Sequence, residues 1–363
     1  MRTEKLLTPY RPIRIGVAQT RLLEQLCNAS GVSGDEGEVR KIVMEEIRPY
    51  ADDIQVDALG NVLAVRQGPG QETRLRVMLD AHMDEVGFMI THEDGEGIFS
   101  FETVGGIDIR QLAGKPVQIG RDHIPGVIGA KPIHLTERRE LESPISLETL
   151  RIDVGPGETK VKIGDRATFA TRFLRVGPSL RAKALDDRLG VVILVDLLKN
   201  PPPGVDVLAN FSTQEEIGGR GARVAAFRFD PDLAVAVDST PAYDLPNWDE
   251  TENAVYNTRL GAGPALYIAD SSTFSDPRLV RHFSQTAQAL QIPYQMRQPG
   301  GGGTDAGAIH RQRSGIPSLS VSVPGRYAHT AASIARVEDW QNTLSLLHAA
   351  LERLSPAVLA EER

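Results

Sequence analysis

Arg74-Leu75-Arg76-Val77-Met78, running through Leu79 into Asp80-Ala81-His82-Met83-Asp84-Glu85, decides how the rest of the chain is read. A short apolar strand here delivers a histidine and acids at its carboxyl end. Open α/β sheets place their sites at strand carboxyl ends, so position matters as much as residue type. Upstream, residues 20–29 carry Leu22, Leu23 and Leu26 on one face, and residues 36–47 repeat Val39, Ile42, Val43 and Ile47 at helical spacing. Gly31-Val32-Ser33-Gly34 separates these two predicted helices, and Pro49 stops the second. Strand-like runs at 54–57 and 62–65 flank Gly60-Asn61, a hairpin signal.

Downstream, the texture changes over residues 88–176. Short β-type runs at 97–101, 116–119 and 167–169 sit between Gly, Pro and Asp turns, which predicts a small barrel-like all-β insert. Helix and strand signals then alternate: a helix at 187–199, strands at 205–212 and 233–237, a helix at 277–290 and a strand at 318–323. Val337, Trp340, Leu344, Leu347, Leu351 and Leu354 stripe a final helix. Such alternation predicts an α/β domain, a mainly parallel twisted sheet flanked by helices. Residues 1–87 and 177–363 would form this catalytic domain, interrupted by the 88–176 insert.

Composition narrows the function. The chain has 363 residues, 41% hydrophobic and 24% charged, as a soluble enzyme of two domains would. A net charge of -8 argues against nucleic acid or anionic membrane as partner, since both favour clustered Lys and Arg. Cys27 is the single cysteine, so no intramolecular disulfide forms. Residues 1–10 carry no leader-like apolar run and no later stretch has membrane-spanning length, so a cytoplasmic location is expected.

Five polar segments interrupt the apolar runs: His82-Met83-Asp84, Asp186-Asp187, Glu215-Glu216, Asp238 and His329. Two positions apart on a strand, Asp84 would face the same side as His82 and orient its imidazole. Either Asp186-Asp187 supplies a carboxylate that bridges two cations, or it caps the helix that follows. Glu215 and Glu216 serve one site only if the chain turns there, which Gly218-Gly219 permits. Asp238 closes an apolar strand, where the alternative is capping of the next turn. His329 follows another strand. His134 and His310 read as structural or solvated, and Gly300 to Gly303 as a flexible loop beside the cleft.

Together these give two His, two Asp and one Glu as candidate ligands, with one Glu spare. That set serves two metal ions per subunit, each with one His, one terminal carboxylate and a share of a bridging Asp. Mixed N/O donors without thiolate suit Zn(II) or Co(II), with Mn(II) possible.

The ordered motifs resemble the tetrahedral aminopeptidase family of glutamyl and leucyl aminopeptidases, some of whose members are labelled endoglucanases. The resemblance spans Gly31-Val32-Ser33-Gly34, Asp57 to Asn61, His82 to Gly87, Gly126 to Leu135, Ala184 to Arg188, Gln214 to Ala222, Gly303-Thr304-Asp305-Ala306 and Arg326-Tyr327-Ala328-His329. It implies that His82 and Asp238 bind one metal and Glu216 and His329 the other, with Asp186 bridging. Glu215 would be the general base and Asp84 would support His82. It implies a dimerisation role for the insert, dimers assembling to a tetrahedral dodecamer, and short peptides as substrates. Gly325 and Thr330 depart from the family pattern near the expected substrate pocket. Rival readings are a related dinuclear carboxypeptidase or N-deacylase, which would add a basic residue for a substrate carboxylate, a glycosidase, and a non-enzymatic shell protein. Adjacent Glu215 and Glu216 poorly fit the carboxyl spacing a glycosidase needs, and retention of every candidate ligand argues against the shell.

Overall fold

The computed structural model describes residues 11–70, 74–245 and 258–363; residues 1–10, read above for a leader, lie outside the described residues. Two helices open the chain, α1 (Val17–Asn28) and α2 (Gly37–Ile47). The hairpin β1 (Asp53–Val56) and β2 (Val62–Gln67) follows, then β3 (Leu75–His82). Six strands close a separate barrel in the order β4-β5-β8-β7-β6-β9. They are β4 (Gly87–Gly95), β5 (Ile98–Val104), β6 (Pro116–Ile119), β7 (Ile124–Gly129), β8 (Arg151–Asp153) and β9 (Arg166–Phe169), with the single-turn α3 (Arg138–Leu141) on the way. The barrel has its own core, in which Phe88 meets Phe101 and Phe169 edge to face at 5.2 Å.

The chain then returns through β10 (Leu174–Val176), β11 (Ser179–Ala182), α4 (Leu185–Lys199), β12 (Val205–Ser212), α5 (Arg220–Phe229) and β13 (Leu233–Pro241). It ends with β14 (Ala265–Tyr267), α6 (Pro277–Leu290), β15 (Gln295–Arg297), α7 (Ala306–Ile309), β16 (Ser318–Arg326), β17 (Ser333–Arg336), α8 (Val337–Glu352) and α9 (Pro356–Ala360). The large sheet has 11 strands, nine along the path β1-β2-β12-β3-β13-β16-β17-β11-β10, with β14 paired to β16 and β15 to β14. Its central strands β12, β3, β13 and β16 are mutually parallel, and the flanking pairs are antiparallel.

Alternation along β3 shows why two layers of helix are required. Val77, Leu79 and Ala81 pack with α1, α2, α4, α6 and α8, whereas Met78 faces the opposite cluster under α5 and α7. α4 buries Val191, Val192, Ile193, Leu194 and Val195 in succession, as a helix enclosed on all sides must. Among the described residues no helix is long and apolar enough to cross a membrane.

Four expected boundaries differ in the structure. β13 does not stop at Val237 and β16 does not stop at Val323, because Ser239, Thr240 and Pro241 keep their rungs with Val323, Pro324 and Gly325. Asp238 therefore lies within a strand rather than closing one. Residues 174–176, read as the end of the insert, pair with β11 in the large sheet. The helix read from Asp187 is entered through Asp186 and Asp187 in non-helical conformations.

Candidate active site

His82 is the last residue of β3, level with Ser212 at the end of β12. Pairing of β3 with β13 stops at Asp80 opposite Ala236, while β13 stays bound to β16 up to Pro241. Asp238 thus stands past the last rung shared with β3, where neighbouring strands part. Three turns bring in the rest, and each contains non-glycine residues in the left-handed region: Ala184 (φ 53) before Asp186, Gln214 (φ 58) before Glu215, and Tyr327 (φ 61) with His329 (φ 58) after β16. Such conformations persist where the surroundings over-determine them, as at functional sites.

The five segments converge. His82 Nε2 lies 3.3 Å from Asp186 Oδ1 and 3.7 Å from Asp238 Oδ1. His329 Nε2 lies 3.5 Å from Asp186 Oδ2 and 3.3 Å from Glu216 Oε2. One carboxylate therefore meets two imidazoles, one on each oxygen. Each imidazole is turned by a carbonyl on its other nitrogen: His82 Nδ1 is 3.1 Å from the Asp84 carbonyl oxygen and His329 Nδ1 is 2.9 Å from that of Gly106. A carbonyl only accepts, so Nδ1 carries a proton in each ring, and Nε2 is the atom turned to the carboxylates, where a bound cation would take its lone pair.

Asp84 Oδ1 lies 3.6 Å from His82 Nδ1, although β3 ends at His82 and strand alternation no longer governs the residues beyond it. The carboxylate also accepts from Ser33 Oγ at 2.6 Å and from the amides of Glu215 at 3.0 Å and Glu216 at 3.2 Å. It fastens the glutamate turn to the end of β3. Burial would raise its pKa, but the His82, Ser33 and Glu215 contacts hold it below the usual carboxylate range.

Electrostatics marks the same groups. Burial, reinforced by Asp238 and Glu216, pushes Glu215 well above the ordinary range despite the pull of His82. Burial raises Glu216 to about 8, opposed by His329 and reinforced by Asp186; it raises Asp238 to about 6, opposed by the His82 contact. Asp186 goes the other way: burial would raise it, but His329 and His82 outweigh burial and hold it low. Burial would lower His329, yet Asp186 and Glu216 lift it to about 10. Acids crowded in this way around two imidazoles fit divalent cations. Buried Asp186 Oδ1 accepts no hydrogen bond, a polar atom that a cation would satisfy.

Ligand-type atoms gather in two groups, His82 with Asp187 and Asp238, and Asp186 with Glu216 and His329. Asp187 belongs to the first by proximity alone. Its Oδ1 accepts from the Gly190 amide at 3.0 Å, and a Cβ on Gly190 would come within 2.2 Å of Oδ2, so this carboxylate is folded back on α4 as a cap. Asp186, with both oxygens toward the histidines, is the residue placed to bridge. Asp187 thus takes the capping position, and Asp186 is the aspartate that faces both imidazoles.

A cavity of about 650 Å³ opens on this cluster and is bordered by Gly301, Gly302 and Gly303. His134 is exposed on the barrel segment, and His310 Nδ1 bonds the Ala306 carbonyl at 2.8 Å; neither joins the site. Sequence reasoning missed three features. Gly106, from the barrel, orients His329. Buried Glu85 accepts from Lys183 at 2.7 Å, Thr168 at 2.9 Å and the Gly31 amide at 3.1 Å, and lies 3.5 Å from Arg188. Arg297 and Arg311 line the cavity. The flanking of Leu185-Asp186-Asp187 by Lys183 and Arg188 was the one signal in the sequence for the second of these.

A family model described as M42 glutamyl aminopeptidase matches residues 60–346. Lysyl aminopeptidase of Pyrococcus furiosus is 31% identical over 92% of this chain and 97% of its own length. A TET aminopeptidase structure from a marine-sediment Thaumarchaeota archaeon superposes with a TM-score of 0.89 at 31% identity, covering 94% of this chain and 98% of that one. The TET1 peptidase of Pyrococcus horikoshii, which assembles into a tetrahedron or a large octahedral shell, gives a TM-score of 0.80 at 32% identity over 93% and 100%. The matched model covers most of the chain and includes all five converging segments: the chain belongs to the M42 aminopeptidase family and is a metal-dependent peptide-bond hydrolase.

Proposed function

We propose that the protein removes the first residue from short peptides, using two divalent ions, Zn(II) or Co(II), and Glu215 as general base. The observation that carries this reading is Asp186, whose two oxygens face His82 and His329 at 3.3 and 3.5 Å. His82 and Asp238 would hold one ion, Glu216 and His329 the other, and Asp186 both. When bound, the ions supply Lewis acidity for the scissile carbonyl and acidify water at the site.

The remaining steps fall to the chain's own groups. The Glu215 carboxylate, set beside Asp238 and Glu216 in the cavity, accepts the proton of the attacking water and returns it to the departing amine. Asp84 keeps that carboxyl in place by holding the amides of Glu215 and Glu216. The substrate's free α-amino group would sit against the site's carboxylates, which restricts cleavage to the first bond.

Assembly is part of the proposal. Ile133, Leu135 and Leu141 of the barrel segment are 76%, 62% and 58% exposed, an apolar surface that fits contact with another subunit. We read the barrel as the dimerisation element of a homo-oligomer, with a tetrahedral dodecamer as the final particle.

Chelation followed by titration with zinc or cobalt tests the metal reading. Activity should vanish on chelation and return to its plateau at two equivalents per chain. Full activity in protein shown to be metal-free, or a plateau at one equivalent, contradicts it.

A further inference from the structure

We infer that Glu85, Lys183 and Arg188 are positioning residues for the metal centre, a buried clip that fixes the turn carrying Asp186 and through it the hold on both ions. The assignment rests on the two-ion reading above and gives a duty within it to residues that touch neither ion nor substrate.

Asp186 is poorly supported by its own backbone. Ala184 before it is in the left-handed region, and Asp186 and Asp187 are themselves outside helical conformation at the entry to α4. Side chains hold the two ends of this turn instead. Lys183, three residues before Asp186, donates to Glu85 Oε1 at 2.7 Å and Oε2 at 2.9 Å, and to the Ala29 carbonyl at 2.7 Å. Arg188, two residues after Asp186, places Nη2 3.5 Å from Glu85 Oε1 and donates through Nη1 to the Met83 carbonyl. One carboxylate thus grips both flanks of the turn, and Arg188 ties it to the residue between His82 and Asp84.

Glu85 is fixed in its turn by the Gly31 amide at 3.1 Å on Oε1 and by Thr168 Oγ1 at 2.9 Å on Oε2. Glu85, Lys183 and Arg188 are all in the interior. A Cβ on Gly31 would come within 2.6 Å of Arg188 Nη2, so glycine at 31 leaves the space that the guanidinium occupies. The clip also adjoins the proposed ligands. Glu85 and Lys183 share the wall of a cavity of about 10 Å³ with Asp186, Glu216 and His329.

Three buried charges are a poor way to stabilise a fold, since apolar side chains of similar volume often serve as well or better. What charged groups add here is direction. With both flanks held on Glu85, Asp186 keeps one oxygen toward His82 at 3.3 Å and the other toward His329 at 3.5 Å.

Zinc retention tests this without recourse to turnover. The zinc-loaded protein is dialysed against a graded series of chelator concentrations, and the metal left per chain is read by elemental analysis. Circular dichroism checks that each variant is folded at the temperature used. Lys183→Met removes one arm of the clip, and the nearly isosteric Thr168→Val frees one oxygen of Glu85. Leu198→Ala, buried at the far end of α4, destabilises the same helix without touching the clip. Lys183→Met should weaken the hold on zinc by about 10–100-fold, the usual cost of losing an outer support of a metal ligand. Thr168→Val should weaken it several-fold, and decides alone where Lys183→Met does not fold. Leu198→Ala should retain zinc as the unaltered protein does. Unchanged retention in the folded clip variants, or an equal loss in Leu198→Ala, overturns the inference and leaves the two-ion reading standing. Unaltered protein that retains no zinc brings both down.

Discussion

Asp186 and Asp187 are chemically identical neighbours with opposite duties, and the difference is one of direction. Asp186 presents an oxygen to each of two imidazoles, while Asp187 turns back to cap α4 through Gly190. Type and position made the site's residues legible in the sequence: His82, Asp186, Glu215, Glu216, Asp238 and His329 are polar groups at or beside apolar strand ends, and the structure brings all of them together. Which aspartate faces the histidines could not be read from spacing, because both are compatible with a helix start. Gly106 was invisible for another reason. Its contribution is a carbonyl, common to every residue, reaching His329 from 223 positions away.

At the scale of elements, periodicity did well where one face or both faces of a segment are buried. Pro277–Leu290 and Val205–Ser212 are found at the expected bounds, since the helix is strongly one-sided and the strand is buried on both sides. Strand ends were harder, because a strand stops where its neighbours stop: β13 runs on to Pro241 only because β16 offers rungs to Gly325. The joint between barrel and sheet is chemical. Glu85 ties Thr168 of β9 to Lys183, Arg188 and the Gly31 amide, all in the interior. Glu85→Gln would leave Lys183 and Arg188 buried without their anion, a change that typically costs about 3–5 kcal/mol. The shift in urea midpoint at constant slope measures it. A loss under about 1 kcal/mol would mean that the two cations find another partner or water, and that the joint does not depend on Glu85.

For the molecule as a whole, the barrel holds His329 through Gly106, and on the proposed reading it also carries the subunit contact. Truncating it would confound the two, so the contact is better tested at its surface. Replacing Ile133 and Leu135 together by Glu should reduce the particle mass seen by light scattering, and an unchanged mass would show that subunits meet elsewhere. The chemistry is tested most directly by comparing Glu215→Gln with Glu216→Gln, using metal analysis beside steady-state kinetics. Glu215→Gln is nearly isosteric and leaves the ligands intact, so it should keep close to two metals per chain while turnover falls by about 10²–10⁴, the usual worth of a positioned base. Glu216→Gln replaces an anionic ligand with a weaker neutral one and should lose both metal and activity. Loss of metal in the first variant with retention in the second would reverse the two roles, and full turnover in both would place the chemistry elsewhere.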